Sequence, residues 1–253
     1  MSLLLALDFE WDQVWRFLWN PVIREGAWVT IQVSVLAQLI GIALGVVFAM
    51  MRTSRNIVTN SVAGLYVWLF RGTPVLLQLY ILSIGIPLML GNETLTRELT
   101  FFRVAVIAFG LNEGAYMSEI VRSGILAVDP GQLDAAKSLG MRPLQAMRHI
   151  VLPQALRVAV PPTGNEFIAM LKNTSIASAI GLVELLGATR LIYAVNFDIM
   201  ELLIVAAIWY LAMVTVFSLL QAELERFVAA GERERPETLF SRALAIMGGG
   251  RGA

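Results

Sequence analysis

The sequence predicts an all-α polytopic membrane protein with about five transmembrane helices, its N-terminus outside and its C-terminus cytoplasmic. Three observations carry this. First, 57% of the 253 residues are hydrophobic and only 15% are charged, against about 25% charged in a soluble domain, and mean hydropathy is +0.71. Second, the apolar residues fall into runs long enough to span a bilayer. Third, Lys and Arg collect at alternate ends of those runs, as the positive-inside rule requires. Formal net charge is zero, so no nucleic acid or other polyanion is implied as a partner. The chain has no cysteine and one histidine, which removes disulfides, thiolate metal sites and any histidine-based metal or catalytic cluster. His149 reads as a polar surface residue.

The N-terminus has no basic region and turns acidic at Asp8, Glu10 and Asp12, so it does not read as a cleaved signal peptide. Trp11, Trp15 and Trp19 recur every fourth residue and would line one face of a helix. Residues 1–25 are expected to form an interfacial segment, because tryptophan concentrates where bilayer meets water; ligand stacking is the alternative.

A membrane-spanning domain is expected over residues 26–227. Its first span is the charge-free run Ala27 to Met51, followed by Arg52 and Arg55, which places that end in the cytoplasm. The second span is interrupted at "RGTP", Arg71 to Pro74, and resumes to Leu90. Gly72 and Pro74 can break a helix in a bilayer only where the freed backbone groups find protein or water, so the break should face the interior. Gly91 to Thr100 reads as an outer loop. A third span runs from Phe101 to about Arg122, and a fourth starts near Pro153. "IASAIGLVELLGA" is half a crossing in length, so it reads as a short helix or re-entrant segment. The last span covers about Ile199 to Ala222 and exits into Arg226, Arg233, Arg235 and Arg242. Residues 228–253 read as a cytoplasmic tail, charged and then small and flexible.

Between the third and fourth spans lies a polar insert, about residues 128–153, flanked by Arg122, Lys137, Arg142, Arg148 and Arg157. Asp129-Pro130 reads as an N-cap with a first-turn proline, and Gly140 as the stop of the helix between. Pro143 opens a second short helix, and Pro153 marks the return to the membrane. The insert is a cytoplasmic helix-turn-helix: either an ordered cover for the helix ends or a docking element for a cytoplasmic partner.

Here the residues carry a resemblance. "DAAKSLGMRPLQAMRHIVLP" resembles the EAA loop of bacterial ABC-importer permeases, Glu-Ala-Ala, three residues, Gly, nine residues, Ile-x-Leu-Pro. Asp134, Ala135, Ala136, Gly140, Ile150, Leu152 and Pro153 stand in register, with Asp134 replacing glutamate. "RGTPVLLQLY", "NEGAYMSEIVRSGI", "LPQALRVAVPPTGNEFIAMLKNTSIAS" and "ELLIVAAIWYL" resemble the polar amino acid permeases, which include histidine, arginine, glutamine and glutamate importers. The resemblance implies coupling contacts to a cytoplasmic ABC ATPase dimer by Ser138, Leu139, Gly140, Met141 and Arg142. It further implies a second permease chain, identical or homologous, a solute-binding protein outside, and a bacterial inner-membrane location. No phosphate-binding Gly-x-x-x-x-Gly-Lys-Ser/Thr loop occurs in the chain, so this chain is expected to be no enzyme and to carry no cofactor; ATP and Mg belong to the partner ATPase.

Polar residues kept within a membrane should face a cavity. The candidates are Arg71 and Gln78 near the break, Asn112, Glu113, Tyr116 and Glu119 on the third span, and Asn165, Glu166 and Lys172 on the fourth. An amino acid zwitterion needs an anion for its ammonium and a donor for its carboxylate, and this set holds both. The alternative for each is structural, with Arg71–Glu113 or Lys172–Glu166 pairs locking helices together. A different small solute, or an ion-gradient carrier using Glu113, remains the functional alternative.

Overall fold

A computed structural model describes residues 9–91 and 97–229. The reading of the tail beyond residue 229, of Asp8 and of most of the loop after Gly91 therefore lies outside the described residues. Every element is helical: α1 Trp11–Leu18, α2 Pro21–Arg52, α3 Ile57–Gly72, α4 Val75–Leu90, α5 Phe101–Leu126, α6 Pro130–Ser138, α7 Pro143–Ile180, α8 Leu185–Asn196 and α9 Ile199–Ala229. Three helices, α2, α5 and α9, are long and apolar enough to cross a bilayer alone. Two bent pairs, α3/α4 at 101° and α7/α8 at 47°, qualify only when taken together, which gives up to five spans by length and composition.

Helix starts follow local chemistry. The Asn20 side chain accepts from the Val22 N–H at 2.9 Å and Pro21 opens α2, so this helix begins ahead of the charge-free run. The Asp129 carboxylate accepts from the Gly131 N–H at 2.6 Å, capping α6 at the residue the sequence indicates. Its other end is a Schellman motif: Met141 N–H donates to the Ala136 carbonyl at 3.0 Å and Gly140 N–H to Lys137 at 2.9 Å. Gly140 sits at φ +74°, a conformation that costs a side-chain-bearing residue about 1–2 kcal/mol.

The fourth span departs from expectation. Instead of starting near Pro153, α7 runs without interruption from Pro143, and Pro153 lies inside it. A proline there should clash with the carbonyl four residues back and leave it without a donor. The helix widens into a π turn over Met147–Val151, and Leu152 N–H reaches back to the Met147 carbonyl. The same device precedes Pro87, where Ile81–Gly85 is a π turn and Ile86 N–H reaches Ile81. Pro161 and Pro162 also lie within α7, where Thr163 Oγ1 donates to the Ala159 carbonyl at 2.7 Å and Gln221 from α9 donates to Val160 at 3.4 Å. The segment expected as a short helix or re-entrant segment consists of a 3₁₀ turn, Thr174–Ile180, a reversal at Gly181 with φ +96°, and then α8, which with α7 forms one of the bent pairs.

Two clusters form the interior. One joins Val33 and Ala37 of α2, Leu79 of α4, Phe109 of α5 and Met170 of α7. The other joins Val14 and Leu18 of α1 with Ile23, Leu185, Leu202 and Val205. Burial of Val14 and Leu18 turns Trp11, Trp15 and Trp19 outward, and Trp209 Nε1 donates to the Leu18 carbonyl at 3.0 Å, pinning α1 to α9.

The tightest packing is between α2 and α5, which run parallel. Gly41 and Gly45 on α2, four residues apart, meet Glu113 and Met117 on α5. Gly110 and Gly114 on α5 meet Ile40 and Leu44 in return. Lipid tails are as apolar as leucine, so helices in a bilayer gain from close fit rather than from hydrophobic burial, and small residues permit that fit. A Cβ placed on Gly45 would lie 2.3 Å from the Met117 Cβ. Gly45→Leu should therefore cost about 1–3 kcal/mol of stability and lower the thermal midpoint in detergent. Gly85→Ala, whose new Cβ would find its nearest neighbour at 3.9 Å, should leave that midpoint close to wild type.

Candidate functional site

The break between α3 and α4 is the natural starting point, since a bilayer offers no water to bare carbonyls. Thr73 is extended at φ −118° and ψ 142°, as the residue before a proline prefers. Its hydroxyl donates back to the Leu69 carbonyl at 2.8 Å. The Gln78 carboxamide, buried on α4, donates to the Phe70 carbonyl at 3.0 Å and the Thr73 carbonyl at 3.1 Å. Asn112 of α5 adds a bond to Phe70 at 2.8 Å and one to Gln78 Oε1 at 3.3 Å. Side chains thus supply what the interrupted ladder lacks, and the break faces protein as expected.

Around the break lies a cavity of about 580 Å³, walled by residues 71–75, by Phe109, Asn112, Glu113 and Tyr116 of α5, and by Glu166, Met170, Asn173 and Ile176 of α7. Five of the nine path candidates line it: Arg71, Asn112, Glu113, Tyr116 and Glu166. Glu113 is 3% exposed, with its Cγ against Gly41 and its Oε1 without a hydrogen-bond partner among the described residues. The Arg71 guanidinium stands over the Tyr116 ring, 5.1 Å from its centroid, a cation–π arrangement. Among the described residues, no ion pair joins Arg71 to Glu113 or Lys172 to Glu166.

The remaining four candidates lie elsewhere. Gln78 stands behind the break. Glu119 bridges two cations, Arg52 of α2 at 3.3 Å and Arg122 at 2.7 Å, fastening the far end of the α2–α5 seam. Asn165 and Lys172 are exposed, away from the cavity. The structure adds Asn173 and Met170, which stand seven and four residues after Glu166 and so share its helix face. It also adds Gln38 of α2, buried beside Glu113, with Nε2 on the Met117 sulfur at 3.6 Å.

The insert presents a compact surface. Ala136 is buried, while Asp134 and Lys137 pair at 2.9 Å on the exposed side. Ser138 donates to the Asp134 carbonyl at 3.0 Å, and Arg142 N–H donates to Gln145 Oε1 at 2.9 Å. Leu139 is 82% exposed, projecting from the turn beside Gly140, Met141 and Arg142; Ala135 is exposed on the last turn of α6. His149 is exposed, its Nδ1 donating to the Gln145 carbonyl at 2.9 Å.

One buried carboxylate has no sequence forecast. Glu184 accepts from the Leu186 and Gly187 N–H groups at 3.0 and 2.8 Å, capping α8, and from Tyr210 at 2.9 Å. Thr30 of α2 completes this node by accepting from the Leu185 N–H at 3.2 Å. The site is fully partnered and reads as structural.

Residues 41–230 match the family described as binding-protein-dependent transport system inner membrane component. The chain is similar to the arginine transport system permease protein of Corynebacterium glutamicum, 41% identical over 97% of this chain and 79% of that protein. It is also similar to the glutamine transport system permease protein of Escherichia coli K12, 32% identical over 87% of this chain and 98% of that one. A crystal structure of an amino acid ABC transporter with histidines matches with a TM-score of 0.79 at 35% identity, covering 87% of this chain and 99% of the other.

Gln78→Leu removes the donor to the Thr73 carbonyl and leaves Asn112 alone at Phe70. Each buried group so orphaned costs about 1–3 kcal/mol. We expect a lower thermal midpoint and faster proteolysis around residues 71–75 in detergent.

Proposed function

The chain belongs to the family of binding-protein-dependent transport system inner membrane components, and from that premise we propose that it is the transmembrane subunit of an ATP-driven importer moving polar amino acids across the bacterial cytoplasmic membrane. The observation that carries the mechanism is the course of α7. One helix begins at the exposed turn, residues 139–142, and ends on the wall of a cavity with charges of both signs.

On this reading the turn and the preceding helix, Asp134 to Arg142, dock on a cytoplasmic ABC ATPase, with Leu139 seated in its cleft. ATP and Mg are held by that partner. A second permease chain, identical or homologous, completes the membrane pore, and a solute-binding protein delivers substrate from outside. The N-terminus lies outside and the C-terminus in the cytoplasm, with the tryptophan face of α1 in the outer interface. The substrate's carboxylate meets Arg71, and its ammonium meets a cavity carboxylate, each strengthened by the low dielectric of the site. Asn112 and Gln78 keep the broken helix in place while Arg71 is used.

The test is reconstitution in liposomes with the ATPase and the binding protein, reading ATP hydrolysis and uptake across a panel of amino acids. Polar amino acids should stimulate both. Leu139→Glu should cut stimulation about tenfold or more, the scale of losing one anchoring contact, with thermal stability unchanged because the side chain is exposed. Uptake that persists without the ATPase and follows an ion gradient would show the reading to be wrong.

A further inference from the structure

Gln221 of α9 reaches across to α7 with an amide that the transport reading does not yet use. Its Nε2 donates to the Val160 carbonyl at 3.4 Å, the Pro161 carbonyl at 3.5 Å and Glu225 Oε1 at 2.7 Å. All three partners are acceptors, which orients the amide with its nitrogen toward them. The fit depends on the residue opposite. A Cβ built on Gly164 would lie 1.8 Å from the Gln221 Cδ, so the amide fills the space that any side chain at position 164 would take. Further along α7, Phe167 meets Phe217 of α9 edge to face, with ring centroids 5.0 Å apart.

This contact falls where α7 is weakest. Pro161 and Pro162 lie inside the helix without N–H groups, so the carbonyls of Arg157 and Val158, four residues back, lose their ladder donors. Long helices kink at such points. Different neighbours hold the two sides of this one. Before it, α7 rests on α5, where a Cβ on Gly124 would lie 2.8 Å from the Ala155 carbonyl oxygen. After it, Gly164 and Phe167 rest on α9. The Gln221 amide grips the carbonyls of Val160 and Pro161, inside the weak turn, and spans the gap between the two supports.

We propose that Gln221 is a positioning residue for transport. By clipping α9 to the double-proline turn it keeps α7 stiff, so that a displacement of residues 139–142 reaches the cavity wall at Glu166, Met170 and Asn173. The assignment rests on the importer reading above. Gln221 meets neither substrate nor ATPase in this role; it acts through the backbone of α7. Without it the turn moves, ATP is hydrolysed, and the wall follows only in part.

The test uses the permease with its ATPase and binding protein in liposomes, reading uptake and ATP hydrolysis together. Gln221→Leu should lower uptake per ATP hydrolysed about fivefold, the scale of about one hydrogen bond, with stimulated hydrolysis within about twofold of wild type. In nanodiscs, amide hydrogen exchange over residues 155–166 of the same complex should quicken by a similar factor. Pro161→Ala with Pro162→Ala returns two N–H donors to the helix, so in that background Gln221→Leu should change either readout by less than about twofold. An uptake ratio that Gln221→Leu leaves unchanged overturns the proposal, as does a loss of the same size in the alanine background. If Gln221→Leu fails to fold, Gly164→Ala, whose Cβ displaces the amide, takes its place with the same expectations. If no amino acid stimulates the wild-type complex, the importer reading fails and the transport role with it, while the exchange comparison still decides whether the clip stiffens α7.

Discussion

The close parallel packing of α2 on α5 sets most of the architecture. Gly41 and Gly45 on one helix, with Gly110 and Gly114 on the other, let the backbones approach until each glycine touches a neighbouring side chain directly. Within a bilayer close fit of this kind is a main source of helix association, since interhelical hydrogen bonds there average only about 0.6 kcal/mol. Two consequences follow. Glu113 is pressed against Gly41, which fixes its carboxylate toward the cavity rather than toward lipid. Parallel neighbours also require the chain to return between them, and α3 with α4 makes that return.

The return path is where the fold admits irregular backbone. A bend of 101° between α3 and α4 exposes carbonyls that hydrocarbon cannot satisfy, so side chains from two helices must. Gln78 of α4 and Asn112 of α5 do this together. Asn112 sits one residue before Glu113 on α5, so the seam that positions the carboxylate positions the amide as well. The Glu184 node answers the same need at the other bent pair: a carboxylate supplies the acceptor that the first N–H groups of α8 lack. At both bent pairs the irregular backbone is met by side chains from other helices.

Much of this was legible in the sequence, and the exceptions have definite causes. Hydropathy located the apolar runs, and Asp129, Pro130 and Gly140 marked both ends of α6 because capping is local chemistry. The "RGTP" break could be read because glycine and proline act on their own backbone. Pro153 misled because a π turn, invisible to residue patterning, absorbs it. Glu113, Tyr116 and Glu119 share a helix face, yet spacing alone could not show that Arg52 reaches Glu119 from another helix while Glu113 has no ion pair among the described residues. Asn173 was recoverable from its place on the Glu166 face. Gln38 and Glu184 were not, for each is defined by partners distant in sequence. The turn proposed to dock on the ATPase could be located along the chain by pattern, but the exposure of Leu139 and the burial of Ala136 depend on how α6 packs against its neighbours.

The continuity of α7 bears on how a turn at one end of the molecule would act on a cavity at the other. From Pro143 to Glu166 the helix rises about 35 Å at 1.5 Å per residue. A break at Pro153 or at the Pro161–Pro162 pair would have absorbed any displacement of the turn within those residues. Instead, the π turn keeps the helix whole at Pro153, while the Thr163 hydroxyl and Gln221 brace the double proline. A shift imposed at residues 139–142 would then move Glu166, Met170 and Asn173 as one wall, against Glu113 held still by the glycine seam. The two carboxylates stand on different sides of that relative motion. On the proposed importer reading, a ligand held between these two walls would be gripped in one arrangement and loosened in the other, which is what coupling demands of a transport site.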